Sequence, residues 1–412
     1  MRSILVILTL LASIGFYDYK NHLALPVQRA MLMFMVLVCL FVGMCDRQVK
    51  LRESRFPRLP WFIFGCSLVV SVFMAVYYHQ QSLTASLVAQ STTIFAYMYF
   101  FVLILLNPDP KKLIRYLFYM SAMSLVIYFM NLATYPHNIF GTPILTDTTR
   151  GMPRVPIPTF NVIMLLVFYS INQWSLTKNK KWWWLIGIGF MMVILSLTRQ
   201  VMAIMGLLCF LQLLQKMSWV KKFVYGCIIL SIGYVVVINL PIYKNLKEIS
   251  ETQIDDSVDG KEDVRIRAWR YYAYEGHENI ETLFLGNGTP SVGKSVWGKR
   301  FEAYAEESGE LIADVSWAGC VFLYGIIGTL ALLIIVFCAI FKRKSPDKQY
   351  LTYFMICAFL EGIASGVWYY NQEIIVIMMA LYLIYRKSDD NSTPFVANNL
   401  AGHINQRRFV IE

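Results

Sequence analysis

Charge is scarce in this chain. Only 15% of its 412 residues are Asp, Glu, Lys or Arg, and 57% are apolar. A soluble domain has about 25% charged residues. That deficit, with a mean hydropathy of +0.51, excludes a disordered chain and argues against a soluble enzyme. Paired cysteines are missing too. Cys39, Cys45, Cys66, Cys209, Cys227, Cys320, Cys338 and Cys357 lie in or beside apolar runs, with no CxxC pair, so neither a disulfide framework nor a zinc site is implied. The few histidines have no ligand spacing, and no metal or cofactor is expected.

What the chain has instead is apolar runs, near 3–16, 27–45, 60–78, 84–106, 113–134, 156–174, 183–198, 200–216, 222–240, 312–341, 349–369 and 372–386. Most approach the ~20 residues that span a bilayer. No A-x-A-like cleavage site follows the first run, which reads as a helix rather than a signal peptide. The expected fold is all-α, a polytopic transmembrane bundle of about twelve helices. Residues 1–240 hold helices one to nine, 241–311 a large external loop and 312–386 the last three helices. A polar cytoplasmic tail, 387–412, follows.

Lysine and arginine set the orientation. With the N-terminus inside, the inner segments collect Arg47–Arg58, Lys111–Arg115, Lys178–Lys181, Lys216–Lys222, Lys342–Lys348 and Arg386–Arg408. The short outer loops hold only Lys20, Arg29, Arg150, Arg154 and Arg199. The long external loop is acidic, so the +11 net charge resides on the cytoplasmic rim, where it meets anionic lipid. It is no nucleic-acid footprint. An N-in, C-in protein of the bacterial inner membrane is expected.

Chemistry-bearing residues gather on the outer side. Arg199 sits in Leu195-Ser-Leu-Thr-Arg-Gln-Val201, a tight turn that needs no arginine. It either snorkels to a headgroup or grips the phosphate of a lipid-linked substrate, for which a planar guanidinium is well shaped. Arg150 and Arg154 lie in a stiff Gly/Pro segment, 150–158, either solvated or held over the bundle mouth. Glu262-Asp-Val-Arg-Ile-Arg-Ala-Trp-Arg-Tyr-Tyr-Ala-Tyr274 reads as a short amphipathic helix. Arg265, Trp269 and Tyr272 share one of its faces, and Arg267, Arg270, Tyr271 and Tyr274 another. Interfacial anchoring and a saccharide–pyrophosphate site both account for that pattern. Asp314, Glu361 and Glu373 lie near outer helix ends, as bases or as partners for the arginines.

Gly288-Thr-Pro-Ser-Val-Gly-Lys-Ser295 matches the P-loop pattern GxxxxGK[ST]. Its external placement, Pro290 and the residues after it argue against nucleotide binding.

Together these features resemble the bacterial O-antigen polymerase/O-antigen ligase superfamily of polytopic membrane glycosyltransferases. The resemblance rests on LTRQ (Leu197 to Gln200), DVRIRAW (Asp263 to Trp269), LFLGNG (Leu283 to Gly288) and ADVSW…YGIIG (Ala313 to Gly328). It covers roughly residues 190–340. It implies transfer of a glycan from an undecaprenyl-pyrophosphate carrier on the outer face of the inner membrane, without nucleotide sugar, metal or cofactor. By position Arg199 and Arg265 would engage the pyrophosphate, with Asp314 the candidate base. Arg150, Arg154, Arg267, Arg270, Trp269 and Tyr272 would bind substrate. The partners implied are the lipid-linked oligosaccharide, membrane lipids and other polysaccharide-assembly proteins. Ligases of this superfamily often carry a histidine before the helix that follows the large loop. Here residues 278–402 contain none, which favours a polymerase over a ligase. A flippase is the non-enzyme alternative; charges kept at the outer rim and the large loop argue against it.

Overall fold

The computed structural model describes residues 2–14, 25–45, 56–135, 137, 139–141, 155, 157, 159–196, 198–215 and 262–386. Eleven of the twelve apolar runs fall on helices, and there is no strand among the described residues. The helices are α1 (Arg2–Ile14), α2 (Leu25–Cys45), α3 (Arg58–Tyr77), α4 (Leu83–Leu106), α5 (Pro110–Ala133), α6 (Phe160–Thr177), α7 (Lys181–Leu195) and α8 (Arg199–Leu214). Short helices α9 (Val264–Arg270), α10 (Ile280–Leu285) and α11 (Val296–Ser308) follow, then α12 (Ser316–Phe341), α13 (Tyr350–Glu361) and α14 (Asn371–Tyr385). The run 222–240 lies outside the described residues.

Five helices, α2 to α5 and α12, are long and apolar enough to cross a membrane. That makes this an α-helical membrane protein. Among the described residues α1, α7, α8 and α14 are shorter apolar helices, and one run is not a single helix at all. The segment 349–369 stops being helical at Glu361, where Gly362 and Gly366 let the chain turn. A Cβ on Gly362 would lie 2.6 Å from the Trp317 indole nitrogen, and one on Gly366 2.4 Å from the Tyr370 ring. Any larger side chain would push this segment off its neighbours.

Local signals set several boundaries. The Ser82 hydroxyl accepts the Ala85 amide at 3.2 Å to start α4, and Asp109 caps α5 ahead of Pro110. The central helix is α14. Every residue from Ile374 to Tyr385 is buried, as expected of a helix that is apolar all round. It lies against α1, α4, α6, α12 and α13, while α12 runs along α3. Aromatic rings fill the α3–α4 seam, with Trp61 stacked on Phe100 at 4.8 Å.

Residues 262–315 form a helical cap on one end of the bundle. It is fastened at a break inside α12, where Gly325 leaves helical geometry at φ 73°. The Phe322 and Leu323 carbonyls freed by the break accept the Asn287 and Gly288 amides at 2.7 and 3.1 Å. Gly286 and Gly325 meet backbone to backbone; a Cβ on Gly286 would sit 2.4 Å from the Leu323 carbonyl oxygen. The LFLGNG and YGIIG segments are thus two halves of one joint.

Candidate functional site

The broken segment 361–370 organises one end of the bundle. Irregular backbone at membrane depth must find its partners inside the protein, and here each neighbour supplies one. The Trp317 amide donates to the Gly362 carbonyl at 3.0 Å and the Ser316 amide to the Ser365 carbonyl at 3.2 Å. The Ser316 hydroxyl also donates to the Ser365 carbonyl and accepts the Trp368 amide at 3.1 Å. The Tyr97 hydroxyl donates to the Trp368 carbonyl at 3.0 Å. From the cap, the Trp269 indole donates to the Ile363 carbonyl at 2.6 Å. From α8, the Gln200 amide reaches the Leu360 carbonyl at 3.4 Å.

These last two contacts matter most for the sequence-derived residues. Arg199 is the first residue of α8, beside Gln200, and is exposed. Arg265 lies one helical turn before Trp269 on α9. Its side chain is exposed and makes no ion pair among the described residues, although its amide is capped by Asp263 at 2.8 Å. The helices that carry the two arginines therefore dock within four residues of each other, on 360–363. Asp314 is half-buried in a short 3-10 turn ahead of α12. Gly366 lies close to this turn: a Cβ there would stand 2.8 Å from the Ala313 carbonyl oxygen.

The remaining members of the predicted set divide. Arg267 and Arg270 are engaged with acids: Arg267 Nε lies 3.4 Å from buried Glu310, and Arg270 pairs with Glu262. Tyr272 is fully buried, its hydroxyl donating to the Glu310 carbonyl at 2.7 Å, so its ring offers no open face to a sugar. The helical-wheel grouping misplaced it because the chain changes to a π-helical turn over Tyr271–Glu275, which shifts every later side chain round the axis. Burial raises the Tyr271 phenol, with a further push from Glu310. Trp269 is held by its hydrogen bond. Arg150 and Arg154 lie outside the described residues.

The P-loop look-alike has a structural job. Gln81, 1% exposed, is gripped by it. The Gln81 Oε1 accepts the Ser291 amide and the Ser295 hydroxyl, both at 2.8 Å, and its Nε2 donates to the Thr289 carbonyl at 3.2 Å. The Lys294 and Ser295 amides turn back to the Ser291 carbonyl. Those N–H groups are committed within the protein, which breaks the row of free amides that a phosphate cradle needs. Beside this loop His79 stacks on Trp297 at 3.9 Å and contacts Asn287 Oδ1 at 2.9 Å. The Asn287 amide nitrogen lies 3.2 Å from His277 Nδ1. Burial lowers both imidazoles below their ordinary value, so each is neutral at pH 7. Nothing in the sequence alone tied His79 and Gln81 to Asn287 and its loop, some 200 positions further on.

No protein-family profile and no characterised protein matches the chain.

Proposed function

We propose that the chain is a membrane glycosyltransferase, a polysaccharide polymerase that joins glycan repeat units carried on undecaprenyl pyrophosphate at the outer face of the bacterial inner membrane. On this reading the twelve-span, N-in and C-in arrangement puts α9 to α11 outside. One observation carries the reading: the helices bearing Arg199 and Arg265 converge on the same broken segment, 360–363, at one end of an otherwise apolar bundle. A lipid-borne pyrophosphate brings a charged head to the membrane surface and an apolar tail alongside it. Two guanidiniums fixed at that surface would stabilise the negative charge that develops as the anomeric carbon–oxygen bond breaks. On this reading Asp314, near Gly366, would help hold the acceptor.

Arg199→Ala tests it. The ladder of glycan lengths should collapse to single repeat units at unchanged protein level. One lost charge-assisted contact to a transition state costs about 3 kcal/mol, roughly a hundredfold in rate. Arg199→Lys should rescue poorly, because an ammonium is a point charge without the planar fork. A normal ladder from Arg199→Ala would make the residue a headgroup anchor and remove the reading.

A further inference from the structure

Glu361 and Glu373 are the only acidic side chains in the described residues of α1–α8 and α12–α14. Both fall at the same outer end, on either side of the broken segment, close enough for their charges to act on each other. Neither forms an ion pair among the described residues. Glu361 is 2% exposed, and its Oε1 accepts only the Cys357 thiol, at 3.4 Å. Acids at membrane depth are expensive and face a partner, a cavity or a reaction path.

Here a cavity is present. A space of about 30 Å³ opens beside Glu373 between α1, α6 and α14, lined by Ile14, Thr159, Asn161 and Gln372 among others. It has room for about two water molecules. Thr159 and Asn161 are 2% and 6% exposed, yet Thr159 Oγ1 and Asn161 Nδ2 make no hydrogen bond of normal length among the described residues. Asn161 reaches toward the Glu373 carboxyl. Buried polar atoms left open in this way call for water or a polar ligand. A carboxylate, two buried polar side chains and water-sized space thus share one cavity.

Resting on the glycosyltransferase reading, we propose that Glu373, with Glu361 behind it, receives the proton of the attacking acceptor hydroxyl through water held in this cavity. The acceptor oxygen bonds to the anomeric carbon, and the carbon–oxygen bond to pyrophosphate breaks. The electron pair leaves with undecaprenyl pyrophosphate, the hydroxyl proton passes to the carboxylate, and it escapes along the cavity. The charged or titratable groups around the pair are few. Glu361 comes from α13, against which α8 packs with Arg199 at its start, and Tyr369 precedes α14 with Arg29 of α2 near it. Asp314 lies beyond Gly366. The described residues of α4, α6 and α12 carry no Asp, Glu, Lys or Arg, and α1 carries only Arg2, at its opposite end.

The experiment uses the full-length protein in liposomes with undecaprenyl-pyrophosphate-linked repeat units extracted from cells lacking the protein, and follows the initial rate of extension against pH. Glu373→Gln should fall at least about a hundredfold, the usual worth of a positioned proton acceptor, while folding normally because it is isosteric. Glu373→Asp should recover part of the rate. The acid limb of the wild-type profile should shift in Glu361→Gln and vanish from the residual activity of Glu373→Gln. A near-wild-type Glu373→Gln beside an inactive Arg199→Ala would overturn the proton-acceptor role alone. So would a slow Glu373→Gln whose acid limb is unchanged. Absence of extension by the wild-type protein would overturn the underlying reading instead.

Discussion

A single buried carboxamide shows how one side chain can replace a supposed ligand. Gln81 fills the hollow of the 288–295 loop that a phosphate would occupy in a nucleotide-binding protein. Gln81→Ala would leave the buried Ser291 amide and the Thr289 carbonyl without their partner. Each such loss costs about 1–3 kcal/mol, so the variant should lower the melting temperature in detergent and open the loop to protease. Lys294→Ala, on an exposed lysine, should stay within about 0.5 kcal/mol of wild type and preserve glycan extension. Loss of extension in Lys294→Ala at normal protein level would return a phosphate-binding role to the loop.

Among the elements, α10 and α12 are joined backbone to backbone. Gly286 and Gly325 both have positive φ, 88° and 73°, and their backbones touch, so a methyl on either meets backbone rather than a movable side chain. Strain of this kind is worth about 1–3 kcal/mol before any clash is counted. Gly325→Ala should loosen the cap from the bundle, read as faster proteolysis within residues 262–315 with the membrane helices left intact. Gly65→Ala, where a Cβ meets nothing within 4 Å, is the matched control. Equal protease resistance in the two variants would show that the joint does not hold the cap. The same joint explains why LFLGNG and YGIIG are rich in glycine: they record a backbone crossing.

For the whole molecule, the functional proposals depend on one assignment of sides. Reporters fused after Lys181 and after Lys222 should read cytoplasmic, and one near Asp259 external. A cytoplasmic signal at Asp259 would place Arg265 and the cap in the wrong compartment and end the glycosyltransferase reading. The assignment draws on the distribution of lysine and arginine, a property of composition that needs no contact between helices.

Helices in the described apolar runs and the membrane setting were legible from the sequence, because apolar length is a local quantity. Arg199 and Glu373 stood out as charges where an apolar helix end needs none, and Arg265 by its place in the amphipathic 262–274 segment. Tertiary structure decided the rest. A run such as 349–369 is apolar throughout, yet only packing against Trp317 and Trp269 shows that it breaks at Gly362. Wheel geometry put Tyr272 on one face with Arg265 and Trp269, yet in the structure its ring is buried while Arg265 stays exposed. The P-loop pattern fitted residue by residue, but its Ser291 amide and Ser295 hydroxyl are taken by a glutamine from another loop. Hydropathy records how much a residue gains by leaving water; which partners its backbone and polar atoms then find depends on neighbours hundreds of positions away.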